Sequence, residues 1–175
     1  MIYNEYINNG KEIDFGLFTE AVDMDRVEKA VNEIAEKLHS HIRFKDITTV
    51  YRDTKEELHE KASHKIEGWL QGYCDNLTVY LVKEENYNTD ITPYYPFLLH
   101  EYTHALLNGM KKKCNEYMEE GITAYMSGQY PRYKDKIKKE YADAAKEVEE
   151  IVKKYGYAGL YKIITGKDYM DIKNK

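Results

Sequence analysis

The sequence predicts an α+β fold, a few short strands beside a helical half. Three observations lead there. Two runs with β-branched cores, Ile47 to Arg52 and Leu77 to Val82, read as strands. Apolar residues recur at helical spacing from Val27 to Leu38 and from Ile137 to Val152. Between them runs the apolar stretch Pro96 to Leu107, whose polar residues are confined to positions 100, 101, 103 and 104. With 175 residues, 42% of them hydrophobic and 33% charged, the chain is long enough for one core of its own. No linker or repeat interrupts it, so 1–175 is expected to form a single domain.

The elements follow in order. Ile13, Phe15 and Leu17 alternate as in a short strand. Asp25-x-x-Glu28 resembles a capping box and opens a helix with a core stripe of Val27, Ala30, Val31, Ile34, Ala35 and Leu38. His39 and His41 close it, where imidazoles serve as donors or cations at a helix C-terminus. Arg43 to Arg52 is expected to be a strand. Thr54-x-x-Glu57 caps a short helix reaching Glu60 or Lys61. His59 and His64 are expected at the surface. Ile66 to Tyr73, with two Gly flanking the only Trp, reads as a turn region. Leu77 to Val82 is the clearest strand, and its pattern leaves open whether it is an edge or an internal one. Lys83 to Tyr95 is polar, holds Asn88, Asp90 and Pro93, and reads as a loop. Pro131 suits the first turn of a later helix with a stripe of Ile137, Tyr141, Ala144, Ala145, Val148, Ile151 and Val152. Gly156 ends that helix, and a last one, Ala158 to Ile164, stops at Gly166 before a charged tail over 167–175.

The chemistry sits in His100-Glu101-Tyr102-Thr103-His104, an HExxH motif. Residues four apart share a helix face, so His100 and His104 can direct both imidazoles at one ion. Glu101 is rotated by about 100° from His100, within reach of a water on that ion. Two imidazoles, one ion and an adjacent carboxylate are the parts of zinc-assisted hydrolysis. The apolar flanks Phe97, Leu98, Leu99, Ala105, Leu106 and Leu107 predict a buried helix, where unpartnered polar groups are unfavourable. A catalytic zinc takes three protein ligands and keeps one position open. Glu116 to Met126 reads as the next helix, antiparallel to the first because the link Asn108–Asn115 is short. Glu120 is the expected third ligand and Glu119 the alternative. Gly121 is expected to let the two helices approach closely.

HExxH followed by Glu120-Gly-Ile-Thr-Ala-Tyr125 resembles the gluzincins, zinc peptidases whose third ligand is a Glu on the helix after the HExxH helix. The segment is similar to the Glu-Gly-x-x-x-Tyr of their aminopeptidase and collagenase branches. The order strand, helix, turn, strand, HExxH helix also resembles the gluzincin catalytic subdomain. Ile151 to Leu160 resembles the late helices of small peptidase-like members, the minigluzincins. The likeness spans roughly residues 44–165. It implies a zincin-like domain with a short mixed sheet beside the HExxH helix and a C-terminal helical subdomain. It also implies zinc on His100, His104 and Glu120, Glu101 as general base, and a peptide or protein substrate. It shifts Leu77–Val82 toward the sheet edge, where an extended peptide can pair. Tyr125, Tyr130 and Tyr133 are candidate oxyanion donors, and Glu116 or Thr123 a candidate support for a ligand His.

Other classes are less well served. The net charge is −5 and the sole basic block is Lys111–Lys113, which disfavours nucleic acid. The mean hydropathy is −0.75 and no run approaches a membrane span. Residues 1–10 lack the basic and apolar regions of a signal peptide, so a cytoplasmic location is expected. Cys74 and Cys114 lack metal-type spacing and are expected as reduced thiols. The oligomeric state is not written in the pattern. The alternative function is a latent peptidase or a zinc-stabilised binding module without catalysis.

Overall fold

In the computed structural model, residues 21–168 are described together with a two-residue antiparallel ladder between β1 (Ile7–Asn8) and β2 (Lys11–Glu12). The strand expected around Ile13 to Leu17 and the end of the charged tail (169–175) lie outside the described residues. The core begins at α1 (Met24–Lys37). Its cap is Asp23, whose Oδ1 accepts the Asp25 backbone N–H at 2.9 Å, two residues before the expected cap. Asp25 instead sits in the first turn, where its charge faces the positive end of the helix. Val27, Val31, Ile34, Ala35 and Leu38 are buried, as the stripe predicted.

A short 3-10 turn over Phe44–Asp46 replaces the start of the expected strand, because Asp46 turns back to accept the Arg43 N–H at 2.8 Å. The strand that follows is β3 (Thr48–Arg52). Thr54 then caps α2 (Lys55–Glu60) by accepting the Glu57 N–H at 3.1 Å. Two more strands complete the sheet, β4 (Gly72–Asp75) and β5 (Thr78–Val82). The order is β3-β5-β4. β5 runs parallel to β3, with Thr48 opposite Thr78, and antiparallel to β4, with Gly72 opposite Leu81. The Leu77–Val82 strand is therefore central, and the edge position favoured by the resemblance belongs to β4. The expected turn region runs into that strand. Gly72 and Asp75 are poor strand formers, and cross-strand pairing with β5 overrides that weakness.

The helical half opens with α3 (Tyr94–Gly109), buried along nearly its whole length. It is tied to the sheet at two points. Tyr102 Oη and Thr49 Oγ1 lie 2.5 Å apart, and Tyr94 Oη donates to the Val82 carbonyl at 2.8 Å. The link to α4 (Glu116–Met126) ends at Asn115, whose Oδ1 accepts the Met118 N–H. The Lys113 N–H donates to the Ile164 carbonyl and fixes the link to the end of α5 (Lys139–Thr165). Gly156, at φ 67° and ψ −173°, breaks α5 where a stop was expected, and Gly166 closes it at φ 71°. Pro131 does not open this helix. Residues 129–138 run as isolated turns; Gln129 ties the start of the segment to α3, and at its end Lys138 reaches Glu67 ahead of β4.

One core joins the two halves. Val31, Leu38, Val79, Leu81, Leu98, Tyr102, Leu106, Ile122, Val148 and Ile164 belong to a single buried cluster, and Leu58, Tyr73 and Val82 form a smaller one under α2. This is an α+β architecture, with a short mixed sheet and α4 both packed against α3, and α5 packed against α4. Among the described residues no helix is long and apolar enough to cross a membrane.

Candidate metal centre

His100 and His104 project from one face of α3, one turn apart, with ring centroids 4.8 Å from each other. Their Nε2 atoms approach to 3.1 Å. Helix α4 lies alongside and turns Glu120 toward both rings. Its Oε2 is 3.2 Å from His100 Nε2 and its Oε1 is 3.5 Å from His104 Nε2. One donor atom from each of the three side chains falls within 4.8 Å of the others. Two imidazole nitrogens and a carboxylate oxygen so placed can hold one metal ion.

The outer nitrogen of each ring is also committed. His104 Nδ1 donates to Glu119 Oε1 at 2.8 Å, and Lys112 Nζ stands 3.4 Å from the same oxygen. His100 Nδ1 donates to Gln129 Oε1 at 2.8 Å, and Gln129 Nε2 in turn donates to Thr92 Oγ1 at 3.3 Å. Fixing Nδ1–H in this way leaves the Nε2 lone pair for a metal and sets the plane of each ring. The two adjacent carboxylates thus have different jobs. Glu120 faces the gap between the rings, and Glu119 holds the back of His104. Thr123 also reaches the centre, 3.4 Å from His100 Nε2, while donating to the Glu120 carbonyl at 2.9 Å. Glu116, the other expected support, lines the same cavity.

Electrostatics follow from this crowding. Burial disfavours charge on Glu120, but hydrogen bonds and attraction from His100 and His104 outweigh it and hold the carboxyl well below its usual range. Burial likewise opposes protonation of His104, yet Glu119 and Glu120 overcome it and lift the imidazole to about 10, so a metal ion taking its Nε2 would displace a proton. Glu101 moves the other way. It is buried, and desolvation raises its carboxyl despite the nearby rings. Among the described residues no hydrogen bond engages its carboxylate, and it lines the same cavity as the two His.

That cavity, of about 750 Å³, runs between the sheet edge and α5. β4 contributes Gly72, Tyr73 and Cys74, the loop before α3 contributes Tyr87, Ile91 and Thr92, and α5 contributes Tyr141. The segment expected as a loop from Lys83 to Tyr95 therefore borders the cavity, although its last two residues, Tyr94 and Tyr95, already belong to α3. Tyr125, Tyr130 and Tyr133 are not among the lining residues. Tyr141 is, and burial together with the Glu120 charge raises its hydroxyl, so it stays protonated. Two residues of the site escaped the sequence reading. Gln129 stands 29 positions from the His it orients and shares no periodicity with it. Tyr141 had a visible position in a helical stripe, but a stripe does not say that one of its members faces a cavity.

The role expected of Gly121 also changes. A Cβ there would sit 2.6 Å from both the carbonyl carbon and the Cβ of Ala144. The close approach it permits is thus between α4 and α5, not between α4 and α3. No family model matches the chain, and no curated protein or solved structure matches it.

Proposed function

We propose that this chain is a zinc-dependent peptidase of the gluzincin type. The observation that carries the reading is the convergence of His100 Nε2, His104 Nε2 and a Glu120 carboxylate oxygen beside an unengaged, buried Glu101. Two nitrogens and one carboxylate form a donor set that catalytic zinc accepts, and the adjoining cavity leaves space for the open position. A zinc ion held by His100, His104 and Glu120 would supply a Lewis acid for the scissile carbonyl and would lower the pKa of a bound water toward neutrality.

The chain's own residues do the rest. Glu101 takes a proton from the attacking water as the C–O bond forms. It gives that proton to the departing amine as the C–N bond breaks. Raised by burial, its carboxyl is better matched to holding a proton between those two steps than an exposed Glu is. Tyr141, which lines the same cavity and stays protonated, is the candidate hydrogen-bond donor to the developing oxyanion. Glu119 and Gln129 keep the two imidazoles in orientation throughout. The extended substrate pairs with the free side of β4, the edge strand whose residues line the cavity.

The deciding experiment compares zinc-loaded wild type with Glu101→Gln on a mixed peptide pool read by mass spectrometry. Cleavage by wild type alone is expected. Zinc binding without cleavage by either protein would point to a metal-stabilised binding module instead.

A further inference from the structure

We propose that the mouth of this cleft is a binding subsite for an ammonium group, and that Lys138 fills it in place of a basic side chain of the substrate. Lys138 Nζ lies over the ring of Trp69, 4.7 Å from its centroid, and 5.5 Å from the centroid of Tyr141. Glu67 Oε2 stands 3.1 Å away. The same carboxylate oxygen accepts the indole N–H of Trp69, so acceptor and ring are fixed relative to each other. Two aromatic faces and one carboxylate around one cation make an aromatic cage, an arrangement that selects positively charged groups. Trp69, Lys138 and Tyr141 all line the cavity that holds the metal centre, so the cage opens into the cleft.

The occupant is built to leave. The Lys138 and Glu67 side chains are 43% and 62% exposed, and an ion pair so open to water contributes little. Lys138 precedes the first turn of α5 and makes no side-chain cap there, so moving its side chain breaks no helical hydrogen bond. The segment before it is held by isolated turns. Glu67 and Trp69, by contrast, are paired with each other through a hydrogen bond that does not involve Lys138. An incoming lysyl or arginyl side chain therefore finds a formed site and displaces a weakly held competitor of like chemistry. That the displacing cation belongs to a peptide substrate rests on the peptidase reading above; the affinity of the cage for an ammonium does not.

Trp69 is the only tryptophan in the chain, so its fluorescence reports on the cage directly. The probe peptides are acetyl-Ala-Lys-Ala-amide, its norleucine analogue, and the norleucine peptide with a free N-terminus. They are titrated into the full chain carrying Glu101→Gln, so that no hydrolysis intervenes. The lysine peptide is expected to shift the emission saturably and the acetylated norleucine peptide is not. Lys138→Met is expected to tighten lysine-peptide binding, and Glu67→Gln to weaken it by about fivefold. These opposite signs identify the cage. If Glu67 and Lys138 only strap the cleft shut, both variants admit every peptide better, norleucine included, and the proposal is overturned. A response to the free-terminus norleucine peptide alone would overturn the assignment to a side chain, since the same ammonium chemistry would then come from the N-terminus. Lysine-dependent binding with no cleavage by wild type would sink the peptidase reading and leave the cage standing.

Discussion

Glu101 and the pair Glu119–Glu120 differ in what their loss removes. Glu101 touches no ligand side chain through a hydrogen bond among the described residues, so Glu101→Gln should retain zinc at full stoichiometry. Its turnover should fall by about 10²–10⁴-fold, the usual contribution of a positioned acid–base group. Metal analysis alongside peptide cleavage checks both halves. Glu120 faces both Nε2 atoms, whereas Glu119 bonds the far side of His104. In competition with a chelator, Glu120→Ala should lose zinc first. Glu119→Ala and Gln129→Ala should each weaken binding by about 10–100-fold, the usual effect of removing a partner that orients a ligand. Loss of zinc from Glu119→Ala before Glu120→Ala would exchange the two roles. His100 and His104 were legible from spacing alone, because a four-residue interval is itself a statement about one helix face. Gln129 was not, since its relation to His100 exists only after the chain has turned back past Gly128.

At the scale of elements, α4 is placed by its cap and by one glycine. Asn115 satisfies the Met118 N–H at the start of the helix, and Asn115→Ala should lower stability by about 1 kcal/mol. Gly121 rests against the Ala144 backbone. Gly121→Ala puts a methyl group 2.6 Å from its carbonyl carbon, so α4 and α5 must separate. A loss of about 1–3 kcal/mol is expected in urea titration, with weaker zinc binding because Glu120 immediately precedes Gly121 on that helix. A neutral Gly121→Ala would mean that the two helices separate freely. The sheet shows how an element escapes a local reading. β5 has a strong β-branched pattern and was evident, while β4 starts at Gly72, ends at Asp75 and is a strand through its pairing with β5.

Across the whole molecule, the proposed metal would bridge α3 and α4, which both contribute to the single core. Zinc binding should therefore act on global unfolding. At a free concentration of 100 Kd, zinc should stabilise the wild type by about 2.7 kcal/mol, and a chelator should reverse this. Glu120→Ala should show little of the effect in the same thermal unfolding experiment. A zinc-insensitive wild type would mean that the three side chains hold no ion in solution. The Thr49–Tyr102 and Tyr94–Val82 hydrogen bonds, which join α3 to the sheet, are expected to carry that stabilisation into the strand half.

Near-neighbour physics decided much of this protein. The HExxH face, the Thr54 cap and the stops at Gly156 and Gly166 each depend on residues within one or two turns of chain, so the sequence alone determines them. The rotation of α4 is a different matter. Glu119 and Glu120 are separated by about 100° around the helix axis, and no local preference chooses between them. Packing of Gly121 on Ala144, in a helix more than twenty residues later, belongs to the contacts that turn Glu120 inward and Glu119 to the back of His104. The central position of β5, the edge position of β4 and the cage around Lys138 are likewise products of distant segments meeting. Only the tertiary structure decides them, because the partners that stabilise each one are not its neighbours along the chain.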